Sequence, residues 1–404
     1  MNPVIIAGGG LAGLTCAKVL NDADVPVVLL EATDRVGGRL KTDEVSGFRL
    51  DRGFQIFLDA YPNAARFLDY DALDLRQFPA GARVRYRGDS YLIDKRKPWT
   101  TVRSRLFGFK DKLLTLRLQA ELRGQSQVEI EKATDRTAEA FLQEFGFSAA
   151  YINRFARPFF GGIFLDRSLA FSANQMRFIF KMLGEGSATL PNVGIEAIPI
   201  QLEKSLTRTM VRTFSPVAAL LPDGVRLESG ETLSSSAIVI ATDVATSRRL
   251  TNVEPGNPGK TSTCYYFSTA HAPTEESHLI LNGEQTGFIN EVAILSNVAP
   301  GLAPNGGSLI SATVLGDEAP PEATILGELT AWLPKAKSLR HLRTYRVLNA
   351  QMPQPPNFRD SLSTTETKIP GVYLAGEYTE NGSIDGAIAS GEKCAKAVLR
   401  RLLQ

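Results

Sequence analysis

Glycines, more than acids, bases or thiols, are the residues whose spacing could do chemistry in this chain. Gly8-Gly9-Gly10-Leu11-Ala12-Gly13 follows the apolar run Val4-Ile5-Ile6-Ala7 and leads into a helical pattern carried by Leu14, Ala17, Lys18 and Leu20. In a G-x-G-x-x-G turn between strand and helix, Gly8 allows the tight turn and Gly10 lets backbone amides approach a pyrophosphate that a Cβ would fend off. Gly13 with Ala17 keeps the helix close to the sheet, and Leu11 and Ala12 open a helix whose positive end faces the phosphates. A second apolar run, Val27-Val28-Leu29-Leu30, ends at Glu31, where a carboxylate would meet the ribose hydroxyls. The chemistry implied is dinucleotide binding, with Glu31 as the expected ribose ligand; a tight turn without a ligand is the plainer reading. NAD and FAD share the ADP half that this spacing reads, so the motif does not choose between them.

Two later segments favour FAD. Ala32-Thr33-Asp34-Arg35-Val36-Gly37-Gly38-Arg39 has two glycines that let the chain pass near a ligand and two arginines able to face phosphate oxygens, of which Arg39 is the expected pyrophosphate clamp. A solvated loop with surface arginines is the alternative. Near the other end, Gly371 to Glu377 reads as a strand entering a glycine turn, and Ser383 to Gly391 opens a long helix. Gly386, Ala387 and Gly391 would give that helix a smooth start against which a flat isoalloxazine ring could lie, with the helix dipole beside the ring edge that gains negative charge on reduction. The competing explanation is helix packing through small residues.

With these segments in view, the chain resembles the flavin amine oxidase superfamily, which includes monoamine oxidases, protoporphyrinogen oxidase and plant-type phytoene desaturases. Four segments carry the resemblance: Gly8 to Gly13 with Glu31, Gly37-Gly38-Arg39, Asp51-Arg52-Gly53-Phe54-Gln55-Ile56-Phe57, and Gly371 to Gly391; the strand Ala237 to Thr242 is similar to the family's return strand. The resemblance implies an adenine beside Val217, a ribityl and pyrophosphate along Gly376 and Glu377, and a flavin pyrimidine edge at Ile384. The stretch from Arg52 to Asn63, which includes Gly53, Phe54, Gln55 and Ile56, is closest to the desaturase branch, where a similar run passes near the ring. Amine oxidases place an aromatic residue at the position of Ser383, so the resemblance puts the usual amine cage in doubt here. Their lysine near the flavin has no motif to place it, and Lys260 is a loose candidate.

The elements that must position these residues suggest an α/β fold: a Rossmann-like FAD-binding domain with an inserted α+β substrate (cap) domain. The 404 residues, 43% of them hydrophobic, suffice for two domains. The expected FAD domain takes residues 1–82, 196–255 and 365–404, and the cap takes 83–195 and 256–364. A hairpin is expected over 83–93, helices over 110–123 and 137–145, and a capping box at Ser172-Ala173-Asn174-Gln175 that starts a helix through Met182. The dense aromatic stretch from Phe155 to Leu165 is read as lining an apolar tunnel or a membrane-facing mouth, or as cap core. Arg154 and Arg157 could orient an acidic substrate group or form structural ion pairs.

Composition bounds the partners. Lys plus Arg at 45 against Asp plus Glu at 43 offers no broad basic field, so no nucleic acid is expected. Three separated cysteines and three histidines give neither a disulfide framework nor a metal site, and a reducing, cytoplasmic compartment is expected. The strand at Pro3 to Ala7 leaves no room for a leader, and no apolar run is long enough to span a bilayer, so a soluble chain or peripheral membrane contact is expected. With no hydrolytic triad in view, the cofactor carries the chemistry. The expected function is removal of a hydride equivalent from a C–H bond of a small hydrophobic substrate by non-covalently bound FAD, with dioxygen or a quinone as acceptor. The alternatives are an amine or amino-acid oxidase releasing peroxide and a redox-neutral isomerase. Catalytic side chains are not assigned.

Overall fold

The computed structural model describes residues 2–253, 259–336 and 338–403. Its central sheet comes from short apolar runs: β1 (Val4–Ala7), β2 (Val27–Leu30), β3 (Thr209–Arg212), β4 (Ala237–Ile240) and β5 (Val372–Leu374). All five pair in parallel in the order β3-β2-β1-β4-β5, with Val4 opposite both Val27 and Ala237. Parallel strands are covered on both faces, which is why β1 and β4 are continuous, fully buried apolar runs without alternation. The strand order reverses between β1 and β4. In open sheets of this kind the crevice beyond the carboxyl ends at that point is where ligands sit.

Helix α1 (Leu11–Asp22) follows β1, and helix α2 (Ile384–Leu402) follows β5. They cross closely enough that a Cβ added at Gly391 would lie 2.3 Å from the Ala12 carbonyl oxygen. Strands Val217–Leu221, Gly224–Leu227 and Thr232–Ser234 form the small meander that the turns at Asp223-Gly224 and Gly230 imply.

Above the crevice stands a seven-stranded sheet, in the order Arg340–Gln351, Lys260–Thr269, Ser308–Leu315, Ile289–Ile294, Leu279–Asn282, Gly81–Tyr86, Asp89–Asp94. The expected hairpin is present, and its first strand pairs in parallel with Leu279–Asn282, so two segments far apart in sequence share one sheet. One face is covered by helix Glu322–Trp332 through Ile325 and Leu329, packed with Tyr265, Phe267 and Ile310. The other face carries Cys264, Tyr266 and Leu309 onto Phe48, Leu50, Phe54 and Ile56. The expected segment limit at 255/256 lies outside the described residues.

The helical part of the cap begins near its expected places: Phe109–Arg123, and Ala138–Phe145 capped by Thr137 and ended by Gly146 at φ +101°. The helix Ala173–Glu185 has only half of its expected capping box. Ser172 Oγ accepts from the Gln175 amide at 3.1 Å, but the Ser172 amide donates to the Gln354 carbonyl at 2.7 Å, leaving nothing for the Gln175 side chain to cap. The aromatic stretch is cap core. A wide π turn, Ile152–Ala156, runs into helix Arg157–Phe164 and turns Phe155, Phe160 and Phe164 inward, where Phe164 stacks on Phe171 at 4.1 Å between ring centroids. Among the described residues no helix is long and apolar enough to cross a membrane.

Candidate functional site

The first corner, β1 into α1, uses its glycines in two ways. Gly8 adopts φ +112°, and a Cβ there would lie 2.4 Å from the Ala241 carbonyl oxygen; one at Gly13 would lie 2.0 Å from the Gly8 carbonyl oxygen. These two glycines are demanded by the protein's own backbone. Gly10 is different, because an added Cβ would meet nothing closer than Gly38 Cα at 4.0 Å. A Cβ at Gly38 would lie 3.2 Å from Gly10 Cα, so the two glycines pack backbone against backbone at the start of α1. No side chain caps α1 and its first turn has no acid, although Leu11 and Ala12 are buried. The first-turn amides of a helix have no partner within the helix, so a buried, uncapped start is a place for an anion.

Glu31 is buried beside this corner, and its orientation is fixed by backbone donors. Oε2 accepts from the Gly9 amide at 2.8 Å, while Oε1 accepts from the Thr33 amide at 2.9 Å and from Thr33 Oγ1 at 2.6 Å. Oε2 thus keeps a second lone pair for a hydroxyl. The exposed Ala32 follows. The Glu31 carbonyl accepts from the Ser215 amide at 2.8 Å, which brings the segment ahead of Val217 alongside. Val217 is buried, and its carbonyl already accepts from Arg249 at 3.0 Å. Arg249 was not singled out in the sequence, because nothing in its neighbourhood marks a surface-type arginine as reaching the meander.

Arg39 and Glu377, both expected beside the pyrophosphate, form an ion pair at 2.9 Å. Arg39 also donates to the Ala350 carbonyl at 2.8 Å, Gln55 Nε2 donates to the Arg39 carbonyl at 2.9 Å, and Glu377 Oε2 accepts from the Met352 amide at 3.1 Å. Gly53, at φ +99°, carries the loop past the cap strand, where an added Cβ would be 3.3 Å from Val347. Phe54 and Ile56, half-buried, continue that loop into the apolar contact between cap and crevice. Arg35 is placed otherwise than as a phosphate-facing residue: its guanidinium is held by Asp34, Asp43 and Glu196, which keep its pKa raised and leave no free fork for an anion.

At the second corner Ser383 is the N-cap of α2, accepting from the Gly386 amide at 2.9 Å and donating to Asn381 at 2.6 Å. Ile384 and Ala387 are half-buried on the first turn, and the Gly376 amide is tied back to Ser390 Oγ at 2.7 Å. Two of the small residues read as a platform have another reason to be small. A Cβ at Gly386 would lie 2.5 Å from the Asn381 carbonyl oxygen of the loop that enters α2, and Gly391 is the contact with α1, so loop closure explains the first and helix packing the second. Asp385 is a residue the sequence reading missed. Its carboxylate accepts from the amides of Asn63 and Ala64 at 2.8 and 3.0 Å and from Asn63 Nδ2 at 2.8 Å, joining α2 to the end of the 52–63 stretch. Burial pushes its pKa up in spite of those three donors.

The looser candidates are structural. Lys260 is paired with Asp166. Arg157 pairs with Glu139 and donates to the Arg167 carbonyl at 2.9 Å. Arg154 donates to the Leu106 carbonyl at 2.7 Å and lies over the Tyr86 ring at 4.3 Å.

The arrangement is a crevice with two helix starts, a fixed carboxylate, an arginine and a cap sheet above. Its overall architecture is shared: a crystal structure of an oxidoreductase from Methanosarcina mazei superposes with a TM-score of 0.78 at 18% identity, covering 98% of this chain and 100% of that one. Polyamine oxidase 2 of Arabidopsis thaliana is 48% identical over 50 residues, 12% of this chain and 10% of that protein. Carotenoid phi-ring synthase of Streptomyces griseus is 28% identical over 285 residues, 62% of this chain and 54% of that protein. The chain thus spans about a tenth and about half of the lengths of those two relatives. Residues 11–399, from the first residue of α1 through nearly all of α2, match the family described as flavin containing amine oxidoreductase, and it is to this family of flavin-dependent oxidoreductases that the chain belongs.

Proposed function

We propose that the protein binds FAD non-covalently across the two corners and removes a hydride equivalent from a C–H bond of a small hydrophobic substrate. The observation that carries the dinucleotide part is the buried, uncapped start of α1, where Gly10 and Gly38 bring two side-chain-free stretches of backbone together next to a carboxylate with a spare lone pair. Those residues fit the group: the amides at Leu11, Ala12 and Gly13 would meet the pyrophosphate, with Gly8 shaping the turn. Glu31, beside Ala32, would accept from the ribose, and Val217 would border the adenine. Arg39 and Glu377 with Gly376 would lie along the pyrophosphate and ribityl, and Gly53, Phe54, Gln55, Ile56, Ser383, Ile384 and Ala387 would border the ring. When bound, the flavin supplies a two-electron acceptor for the substrate's C–H bond. The chain's own residues position it, keep the space under the cap sheet dry, and set the positive end of α2 toward the ring.

The apolar substrate is supported by the desaturase-like stretch ending at Asn63, which Asp385 holds against α2. Ser383 serves as a helix cap and supplies no aromatic wall for an amine. The second reading, an amine oxidase, draws on the short polyamine oxidase match. Dioxygen or a quinone is the proposed electron acceptor, since the chain has one glycine fingerprint and no second one for NAD(P)H. The three buried free cysteines suit a reducing, cytoplasmic compartment. Anaerobic mixing of the purified yellow protein with a panel of polyenes and other apolar C–H donors should bleach the flavin absorbance, and acid precipitation should leave the flavin in the supernatant. No bleaching with any apolar compound, together with peroxide release from amines, would decide for the second reading.

A further inference from the structure

The aromatic stretch, read as tunnel lining, membrane-facing mouth or cap core, is cap core, but a different surface has the chemistry for a membrane. Nine of the 45 Lys and Arg residues and two of the 43 Asp and Glu residues fall within 95–123, so this segment carries +7 while the rest of the chain carries −5. Helix Phe109–Arg123 within it is apolar on two opposite sides. One side, with Asp111, Leu118 and Leu122, is buried in the cap. The other presents Phe109, Leu113 and Leu116, spaced i, i+4, i+7, at 60%, 52% and 63% exposure. By helical geometry Lys110 and Arg117 border this stripe on one side, and Lys112 and Arg123 on the other.

The preceding helix, Pro98–Arg103, adds Trp99 at 75% exposure and Val102 at 44%. Lys112 Nζ donates to the carbonyls of Val102 and Ser104, both at 2.8 Å, which ties the end of that helix to the flank of the stripe. Arg96, Lys97, Arg103, Arg105, Lys110 and Arg123 are exposed and have no carboxylate partner among the described residues.

We propose that residues 95–123 form a docking surface for an anionic lipid bilayer, with Trp99, Phe109, Leu113 and Leu116 entering the headgroup boundary and the flanking Lys and Arg meeting lipid phosphates. An apolar stripe bordered on both sides by cations is the pattern of a helix that lies in an interface. Charge complementarity selects the occupant. A second copy would set +7 against +7, and a nucleic-acid backbone would leave the stripe in water. The inference goes beyond the redox reading and does not depend on it, because docking is read without turnover.

The test is co-sedimentation of the flavin-loaded full chain with equimolar phosphatidylcholine and phosphatidylglycerol vesicles, compared with phosphatidylcholine alone. Binding is expected only with the anionic vesicles and should fall as salt is raised. Lys110→Ser/Arg117→Ser/Arg123→Ser should weaken it on the order of a hundredfold. Phe109→Ser/Leu113→Ser/Leu116→Ser should do so at least as strongly. Both variants change exposed positions, and retained flavin absorbance certifies their fold. Independently, tryptophan emission of the unaltered protein should shift to the blue on adding anionic vesicles, and Trp99→Phe should abolish the shift. No binding to anionic vesicles, binding indifferent to both triple variants, or loss of a dimer in those variants with vesicle binding intact would each overturn the proposal.

Discussion

At the scale of single residues, the site depends on carboxylates whose backbone donors hold them still. Glu31 receives the Gly9 amide on the oxygen that would also face a ribose. In Glu31→Gln one carboxylate oxygen becomes an amide nitrogen, which cannot both replace the Thr33 donors' acceptor and leave the Gly9 acceptor intact. An unsatisfied buried donor costs about 1–3 kcal/mol, so FAD affinity, measured by titrating the apoprotein, should drop by roughly tenfold or more. Two other buried carboxyls act through pH. Burial pushes Asp51 up to about 6 and Glu291 up to about 7, against the donors Thr42 and Ile195 at Asp51 and Asn290 at Glu291. A raised carboxyl pKa means that the folded state binds the proton more tightly than the unfolded chain. Their contribution is therefore most favourable in acid and is lost as pH rises from about 4 to about 6–7, then levels off. Urea unfolding compared at about pH 5 and about pH 8 should show this loss, and Asp51→Asn with Glu291→Gln should flatten it.

At the scale of elements, the two helix starts are brought together by close packing between α1 and α2. Gly391 sits where an added Cβ would meet the Ala12 carbonyl oxygen at 2.3 Å and Thr15 Cβ at 2.9 Å, both parts of a helix core. Gly391→Ala must separate the helices, and overpacking of this kind costs about 1–3 kcal/mol. A lowered melting temperature is the expected outcome. Because Ala12 belongs to the first turn of α1, weakened FAD binding should accompany it. Unchanged melting and binding would mean that the helices move apart freely. Asp385 works between elements in the same way. Asp385→Asn, whose one oxygen can still serve the Asn63 and Ala64 amides but whose NH2 group then faces Asn63 Nδ2, should loosen the 52–63 stretch and broaden the flavin spectrum while leaving the cap intact.

At the scale of the whole molecule, the crevice is closed on one side by a sheet of five parallel strands and on the other by a sheet of seven strands. Each sheet recruits segments from widely separated parts of the chain. A ligand spanning their junction stabilises only the assembled state, by about 2.7 kcal/mol at a hundredfold excess over its dissociation constant. Removing the flavin should therefore lower the melting temperature, and adding back FAD should restore it. NAD, which shares the ADP half and would leave the second corner empty, should restore little. Equal rescue by NAD would show that the crevice is read at its first corner only.

How far the sequence could be read follows from the range of each interaction. The strands Val4–Ala7, Val27–Leu30 and Ala237–Ile240, the glycine turn, the hairpin and the helices begun by Thr137 and Ser172 were all legible, because apolar runs, glycine conformations and capping hydroxyls act within a few residues. The pairing of Arg39 with Glu377, the hold of Asp385 on Asn63 and the two-sided apolar character of helix Phe109–Arg123 were not. Side-chain chemistry names what a residue can bond, but which partner lies within 3 Å depends on how distant strands line up. The sequence by itself therefore determined the α/β class, the family and the two corners. Tertiary structure alone decided that Arg35 and Arg157 are structural, that Gly391 is a packing contact, and that the exposed apolar face lies on residues 99–116 and not on the aromatic stretch. Burial is a property of the assembled molecule, and an aromatic run carries no mark of which side will be covered.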